Sequence, residues 1–225
     1  SMAAAAREAG VYIVSGDTKV VEKGACDGLY INTAGFGAFP PGLPPLSQRI
    51  LPGDAILVSG NIGEHGLAVL AAREGLDFSP PLLSDVAPLH GLARALRAAA
   101  PGLHALRDAT RGGAAGVAQE WAAAAGHDIL LDEQALPITD AVRAACALLG
   151  LDPLYLANEG KLLAAVPAEQ AQAALAALRA ERTGADAAII GRVEAEAGGR
   201  AVLRTQFGAG RLLILPEGEQ IPRIC

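Results

Sequence analysis

Several things are scarce in this chain, and each shortage excludes something. Positive charge is not in excess: 18 Lys and Arg stand against 24 Asp and Glu, a formal net charge of −6. A general attraction to nucleic acid or to an anionic membrane surface is therefore not expected. Cysteine is rare and odd in number. Cys26, Cys146 and Cys225 have no CxxC spacing, so neither a disulfide framework nor a zinc site is implied. Long clean apolar runs are missing, although 52% of the residues are hydrophobic. Stretches such as "LAVLAAREG" break on charges and glycines well short of the roughly 20 residues of a membrane span. "SMAAAAREAG" has neither the charged start nor the apolar core of a signal peptide, and a cytoplasmic location is the expectation. There is no internal repeat and no glycine fingerprint of a dinucleotide-binding βαβ unit. His65, His90, His104 and His127 show no metal-ligand spacing and are read as structural.

What is present is enough chain, 225 residues, for one large or two small domains. Ala3 to Glu8 reads as the tail of a helix ending at Gly10. With Ser1-Met2 reading as an introduced start, an upstream segment is expected to have been removed. Val11 to Val14, Val20-Val21 and Leu29 to Thr33 have strand character around a turn-rich centre. "FPPGLPPLSQRILPGD" is a proline-rich connector, because proline lacks the amide donor and fixes φ, and a domain boundary is placed there. Beyond it helices and strands mix. "DAILVSG", "HDILLDE", "KLLAAVP", "AAIIGRVE", "AVLRTQ" and "RLLILP" read as strands. "SDVAPLHGLARALRAAAPG" reads as a helix capped by Ser84 or Asp85, with Val86, Leu89, Leu92, Ala93 and Leu96 on one face. "GGAAGVAQEWAAAAG", "TDAVRAACALLG" and "AEQAQAALAALRAERTG" are further helices. The class expected is α+β with a mostly antiparallel or mixed sheet.

Four stretches carry candidate chemistry. "SGDTKVVEKG" sets Asp17, Lys19 and Glu22 between β-rich runs, where alternation puts Asp17 and Lys19 on one face. Such a pair can hold a metal-phosphate or poise the lysine, or it is a solvated turn. "RDATRGGAAG" leads into a helix, where Thr110, Gly112 and Gly113 can offer backbone amides to an anion or simply start the helix. "SGNIGEHG" is a phosphate-facing loop or a strand-to-helix turn. "LANEGK" places Asn158, Glu159 and Lys161 between apolar runs, so that Glu159 is a candidate base or part of a turn with a salt bridge. Cys146 is expected in the core and Cys26 in a turn. Cys225 is different, because it is the last residue of "PEGEQIPRIC", a polar stretch with two prolines that is expected to be mobile. Prenylation needs three residues after the cysteine and is excluded. Ten extended residues reach about 33 Å at ~3.3 Å each, which suits a thiol carried on a swinging arm.

Together "GDTKVVEKG", "DGLYINTAGFG", "GNIGEHG", "RDATRGG", "NEGK" and the terminal "PRIC" resemble the HypE family of hydrogenase maturation factors, over essentially the whole chain. That family is similar in fold to aminoimidazole ribonucleotide synthetase and selenophosphate synthetase, with an N-terminal ATP-binding domain that dimerises through its sheet and an α+β C-terminal domain. The resemblance implies three parts here: residues 1–38 as the last β elements of the N-terminal domain, 39–215 as the C-terminal domain, and 216–225 as a tail ending in the acceptor cysteine. It implies that Cys225 takes a carbamoyl group from HypF. ATP with Mg2+ then drives dehydration to a thiocyanate, and the cyanide passes through the HypC–HypD complex to the iron of [NiFe] hydrogenase. By the same resemblance Lys19 and Glu159 remove protons, and Asp17, Thr18, Asp108, Thr110, Arg111, Gly112 and Gly113 face Mg-ATP. Two other readings stand beside it: a non-enzymatic thiol carrier or interaction fragment without the ATP site, and another ATP-dependent synthetase of the same fold. The family's upstream acidic residues are absent from this sequence, so the fragment alone is expected to be inactive.

Overall fold

A computed structural model describes residues 1–39, 41–42, 44–195 and 198–214. The expected mobile tail, 216–225, and its Cys225 lie outside the described residues. The chain divides between Pro44 and Pro45 into two compact units.

The first unit, Ser1–Pro44, holds one helix, α1 (Met2–Ala9). It ends at Gly10, whose amide bonds back to Arg7, as its sequence position suggests. The strands expected at Val11 to Val14, Val20-Val21 and Leu29 to Thr33 do not form. Val11, Tyr12, Ile13, Val14, Val20, Leu29, Tyr30 and Ile31 are instead exposed. The reason is physical: a strand is stabilised by a hydrogen-bonded neighbour and a buried face, and none pairs with these residues among those described.

The second unit begins at Pro45 and is built on a seven-stranded sheet. Its strands are β1 (Ala55–Val58), β2 (Ala105–Asp108), β3 (Ile129–Asp132), β4 (Leu162–Val166), β5 (Ala188–Val193), β6 (Ala201–Arg204) and β7 (Gly210–Leu212). Their order across the sheet is β2-β4-β1-β5-β3-β6-β7. Described neighbours are antiparallel except β3 and β6, which run parallel. The apolar runs "AILV" and "LLAAV" are buried at every position, which is what a central strand covered on both faces requires.

Alternation then sorts the two cores. Ile56, Val58, Leu163 and Ala165 face α4 (Gly113–Ala125) with its Val117 and Trp121. Ala55, Leu57, Leu162, Ala164 and Val166 face α3 (His90–Ala99) and α6 (Ala171–Ala180) through Leu92, Leu96, Ala174 and Leu178. A third cluster joins Leu67 of α2 (Glu64–Glu74) to Val142, Ala145 and Cys146 of α5 (Asp140–Leu149). Thr139 caps α5 by accepting from the Val142 amide.

One helix starts later than its sequence suggests. Ser84 and Asp85 do not cap it: α3 begins at His90, after Leu89. Pro88 accounts for this, because it disfavours the α region for the preceding residue and lacks an amide proton. Val86 is consequently exposed rather than on a buried helix face, while Leu92 and Leu96 are buried as expected. Strand β2 and helix α2 are elements that the sequence patterns above do not single out, and each abuts a glycine-rich turn.

Candidate functional site

Sheet topology decides where the motifs of the second unit meet. Strands β1 and β2 both run antiparallel to β4, so their C-terminal ends lie at the end where β4 begins. Strand β5 is antiparallel to β1 with Ala188 opposite Val58, so it also begins there. "GNIGEHG", "RDATRGG" and "NEGK" are thereby brought to one end of the sheet, although some 95 residues separate the first from the last.

The turn before β4 is the hub. Asn158 is completely buried and all its side-chain polar atoms are used. Its Oδ1 accepts from the Gly63 amide at 2.8 Å, and its Nδ2 donates to the carbonyls of Ala109 and Leu156, each at 3.0 Å. The Asn158 amide also donates to Ala109, and the Ala109 amide donates to the Lys161 carbonyl. One side chain thus ties the start of α2, the end of β2 and the turn into β4 together. Ser59 closes the join between β1 and β4: its hydroxyl accepts from the Leu162 amide at 3.0 Å.

Within this frame lies a charged cluster. The Lys161 Nζ sits 3.2 Å from Asp85 Oδ2 and 3.7 Å from Glu64 Oε2. The Asp85 side chain is fully buried, and its Oδ1 accepts from the Glu159 amide at 2.9 Å. The approach of Lys161 to Asp85 Oδ2 is an ion pair without the alignment of a hydrogen bond. Burial pushes the Glu64 carboxyl above the usual range; Lys161 opposes this, and Asp85 and Asp186 add to it. Nearby, Asn61 donates to Asp186 Oδ2 at 2.9 Å, and His65 Nδ1 lies 2.8 Å from the Ser84 hydroxyl.

Five of the expected nucleotide-facing residues, Asp108, Thr110, Arg111, Gly112 and Gly113, fall at the same end of the sheet. Asp108 is exposed at the end of β2, Arg111 is exposed, and Thr110 and Gly112 are half-buried. Gly112 precedes α4, which has no side-chain cap among the described residues. Gly113 is buried with φ +61°, and a Cβ there would fall 2.4 Å from the Leu154 carbonyl oxygen and 2.6 Å from that of Leu156. Packing against the 154–156 backbone therefore accounts for glycine at 113 without any ligand. The residue types at this end of the sheet are those that suit a polyphosphate: an exposed guanidinium at Arg111, a hydroxyl at Thr110 and the start of α4.

The remaining expected residues belong to the first unit or lie outside the described residues. Asp17, Thr18 and Lys19 belong to the first unit and are exposed; the Thr18 amide donates to Asp17 Oδ1 at 2.8 Å. Cys225 lies outside the described residues. Asp85 is the residue that sequence reasoning placed wrongly, as a helix cap. Pro88 three positions later was the available signal against a helix there. Glu64 and Lys161 lie within "SGNIGEHG" and "LANEGK", but nothing in their spacing shows that they meet.

Comparison with known proteins gives a consistent answer. The family model for AIR synthase related protein, C-terminal domain, matches residues 52–204. The carbamoyl dehydratase HypE of Azotobacter vinelandii is 52% identical over all 225 residues, which cover 66% of its length. Two solved structures superpose along the chain. One is a hydrogenase maturation protein HypE in complex with ATP, 44% identical with a TM-score of 0.87, covering 100% of this chain and 68% of that one. The other is a HypE–HypF complex, 41% identical with a TM-score of 0.86, covering 96% and 70%. The chain belongs to the AIR synthase related family and, within it, to the HypE proteins. It spans just under two thirds of the length of that curated relative.

Proposed function

We propose that this chain is the C-terminal part of an ATP-dependent carbamoyl dehydratase acting in [NiFe] hydrogenase maturation. The observation that carries the reading is 52% identity to a carbamoyl dehydratase along all 225 residues.

The chemistry assigned to the residues is as follows. The Cys225 thiol receives a carbamoyl group from HypF, forming a thiocarbamate. ATP supplies the phosphoryl group that makes the carbamoyl oxygen a leaving group. The nitrogen then loses two protons as phosphate departs, and the carbon–nitrogen bond becomes triple, leaving a thiocyanate on sulfur. Glu159 and Lys19 are each assigned to proton removal. Asp17, Thr18, Asp108, Thr110, Arg111, Gly112 and Gly113 are assigned to the nucleotide and to Mg2+. The cyanide passes to the HypC–HypD complex, and the working protein is a cytoplasmic homodimer. No helix among the described residues is long and apolar enough to cross a membrane.

The point where the described chain ends supports a reach to this site. The Ile214 amide donates to the Tyr155 hydroxyl at 3.2 Å, and Arg211 pairs with Asp152 at 2.6 Å. Tyr155 belongs to the backbone segment on which Gly113 packs, so the last described residues are held beside the start of α4. From there the sequence runs on to Cys225, a span of up to roughly 36 Å if extended at ~3.3 Å per residue.

The test is intact-mass spectrometry with HypF, carbamoyl phosphate and ATP, on a protein extended to the full length of the relatives. Cys225 should first gain one carbamoyl group and then lose one water. Cys146 should stay unmodified, because burial pushes its thiol up to about 11. Equal labelling of a Cys225→Ala protein would remove the assignment.

A further inference from the structure

Asp85 does something that a stability role does not require. Its carboxylate is fully buried, and both oxygens are directed to one three-residue stretch: Oδ1 to the Glu159 amide at 2.9 Å, Oδ2 to the Lys161 ammonium at 3.2 Å. The residue between them, Gly160, passes so close that a Cβ there would lie 1.8 Å from the Asp85 carbonyl oxygen. No side chain can be fitted at 160 without separating the two segments. Asp85 is itself anchored, since Ser84 beside it contacts His65 in the first turn of α2. Burying a carboxylate is costly, and an ion pair of this kind is commonly no more stabilising than a well-packed apolar pair. What it does supply is a fixed register between the two segments that meet.

We propose that Asp85 is a positioning residue, whose buried carboxylate locks the Glu159–Lys161 turn against the segment before α3 and so sets where Glu159 and Lys161 stand at the site. This rests on the carbamoyl-dehydratase reading for its consequence, not for its geometry. One oxygen fixes the Glu159 backbone, from which the proposed base projects. The other holds the Lys161 ammonium just before the start of β4, between Asp85 and Glu64. An error of about 1 Å in placing a reacting group costs on the order of 100-fold in rate, so the lock acts on the dehydration step.

The experiment has two arms. In the 225-residue chain, hydrogen exchange of the Glu159 amide is followed in Asp85→Asn, Asp85→Ala and the double variant Asp85→Ala/Lys161→Met. Asparagine keeps an acceptor for the amide, so exchange should stay within a few-fold of the parent. Alanine removes it, and exchange should rise at least ~10-fold. The double variant leaves neither member of the Asp85–Lys161 pair charged and alone, and Glu64, which loses Lys161, is partly exposed and can take up a proton, so the protein should fold even where Asp85→Ala does not, yet its Glu159 amide should still exchange fast. In the second arm, carried out on protein of the relatives' full length, single-turnover conversion of carbamoylated Cys225 should slow by ~10–100-fold in the double variant while carbamoyl loading proceeds. A folded double variant with parent-like protection at Glu159 would overturn the proposal, as would one that forms thiocyanate at the parent rate. A parent protein that loads carbamoyl but never forms thiocyanate would instead overturn the dehydratase reading, and the exchange arm would then decide the role of Asp85 alone.

Discussion

The two units of this chain contain similar residues and treat them differently. "VYIV" in the first unit and "AILV" in the second are both short runs with strong β character. The first is exposed and carries no strand; the second is β1, buried at all four positions between β4 and β5. The difference is not local propensity. Strand β1 has hydrogen-bonding neighbours on both sides and helices over both faces, and burial at about 25 cal/mol per Å² of apolar surface then favours order. Residues 11–14 have no such neighbours among those described, and β propensity by itself is too weak to hold a strand.

The contrast is easiest to break at its glycines. Gly113→Ala forces a side chain into a left-handed backbone and onto two carbonyl oxygens, and should cost more than ~4 kcal/mol. Gly24→Ala also meets a positive φ, +89°, but has nothing within 4 Å, so it should leave the melting of the second unit unchanged. Thermal unfolding followed by circular dichroism decides this. Equal effects at the two positions would mean that the first unit is as tightly packed as the second.

Large side chains sharpen the same contrast at a smaller magnitude. Trp121 is 3% exposed within the α4 core, and Trp121→Ala should cost about 3–5 kcal/mol. Tyr12 is 92% exposed, and Tyr12→Ala should stay within about 0.5 kcal/mol of the parent in urea unfolding.

The smallest effects are electrostatic and belong to the second unit. The Arg200 hydrogen bond holds the Asp128 carboxyl below its ordinary range, and Arg204 does the same for Asp132. A depressed carboxyl stabilises the fold above its unfolded pKa, and that contribution is lost as pH falls through the folded value. Glu64 has the opposite sign. Its raised pKa means that the folded state holds the proton more tightly, so stability falls as pH rises through the window between its ordinary and folded values. Asp128→Asn should therefore flatten the acid limb of a stability–pH curve. Glu64→Gln should remove a loss on the rising side and leave the acid limb in place. The single tryptophan, Trp121, reports both by fluorescence.

Much of this was legible in the sequence, where the cause is local. Thr139 caps α5, and glycines at 126 and 150 end α4 and α5 in left-handed conformations, because these are effects of one residue on its own turn. The apolar runs within "DAILVSG" and "KLLAAVP" read as strands, and both are strands; that they lie inside the sheet comes from its topology. The motifs "GNIGEHG", "RDATRGG" and "NEGK" could each be picked out, and each also had an ordinary structural explanation. Their meeting could not be read from spacing. It depends on β1 and β2 both running antiparallel to β4, and on Asn158 bonding across 49 and 95 residues of chain. The same holds for Asp85, which composition offers as a helix cap and the fold converts into a buried partner of Lys161. Caps, breakers and apolar runs act within a few residues and so are written in the sequence. Partners for a strand, a buried charge or a turn are chosen by which segments the sheet brings together, and only the tertiary structure decides that.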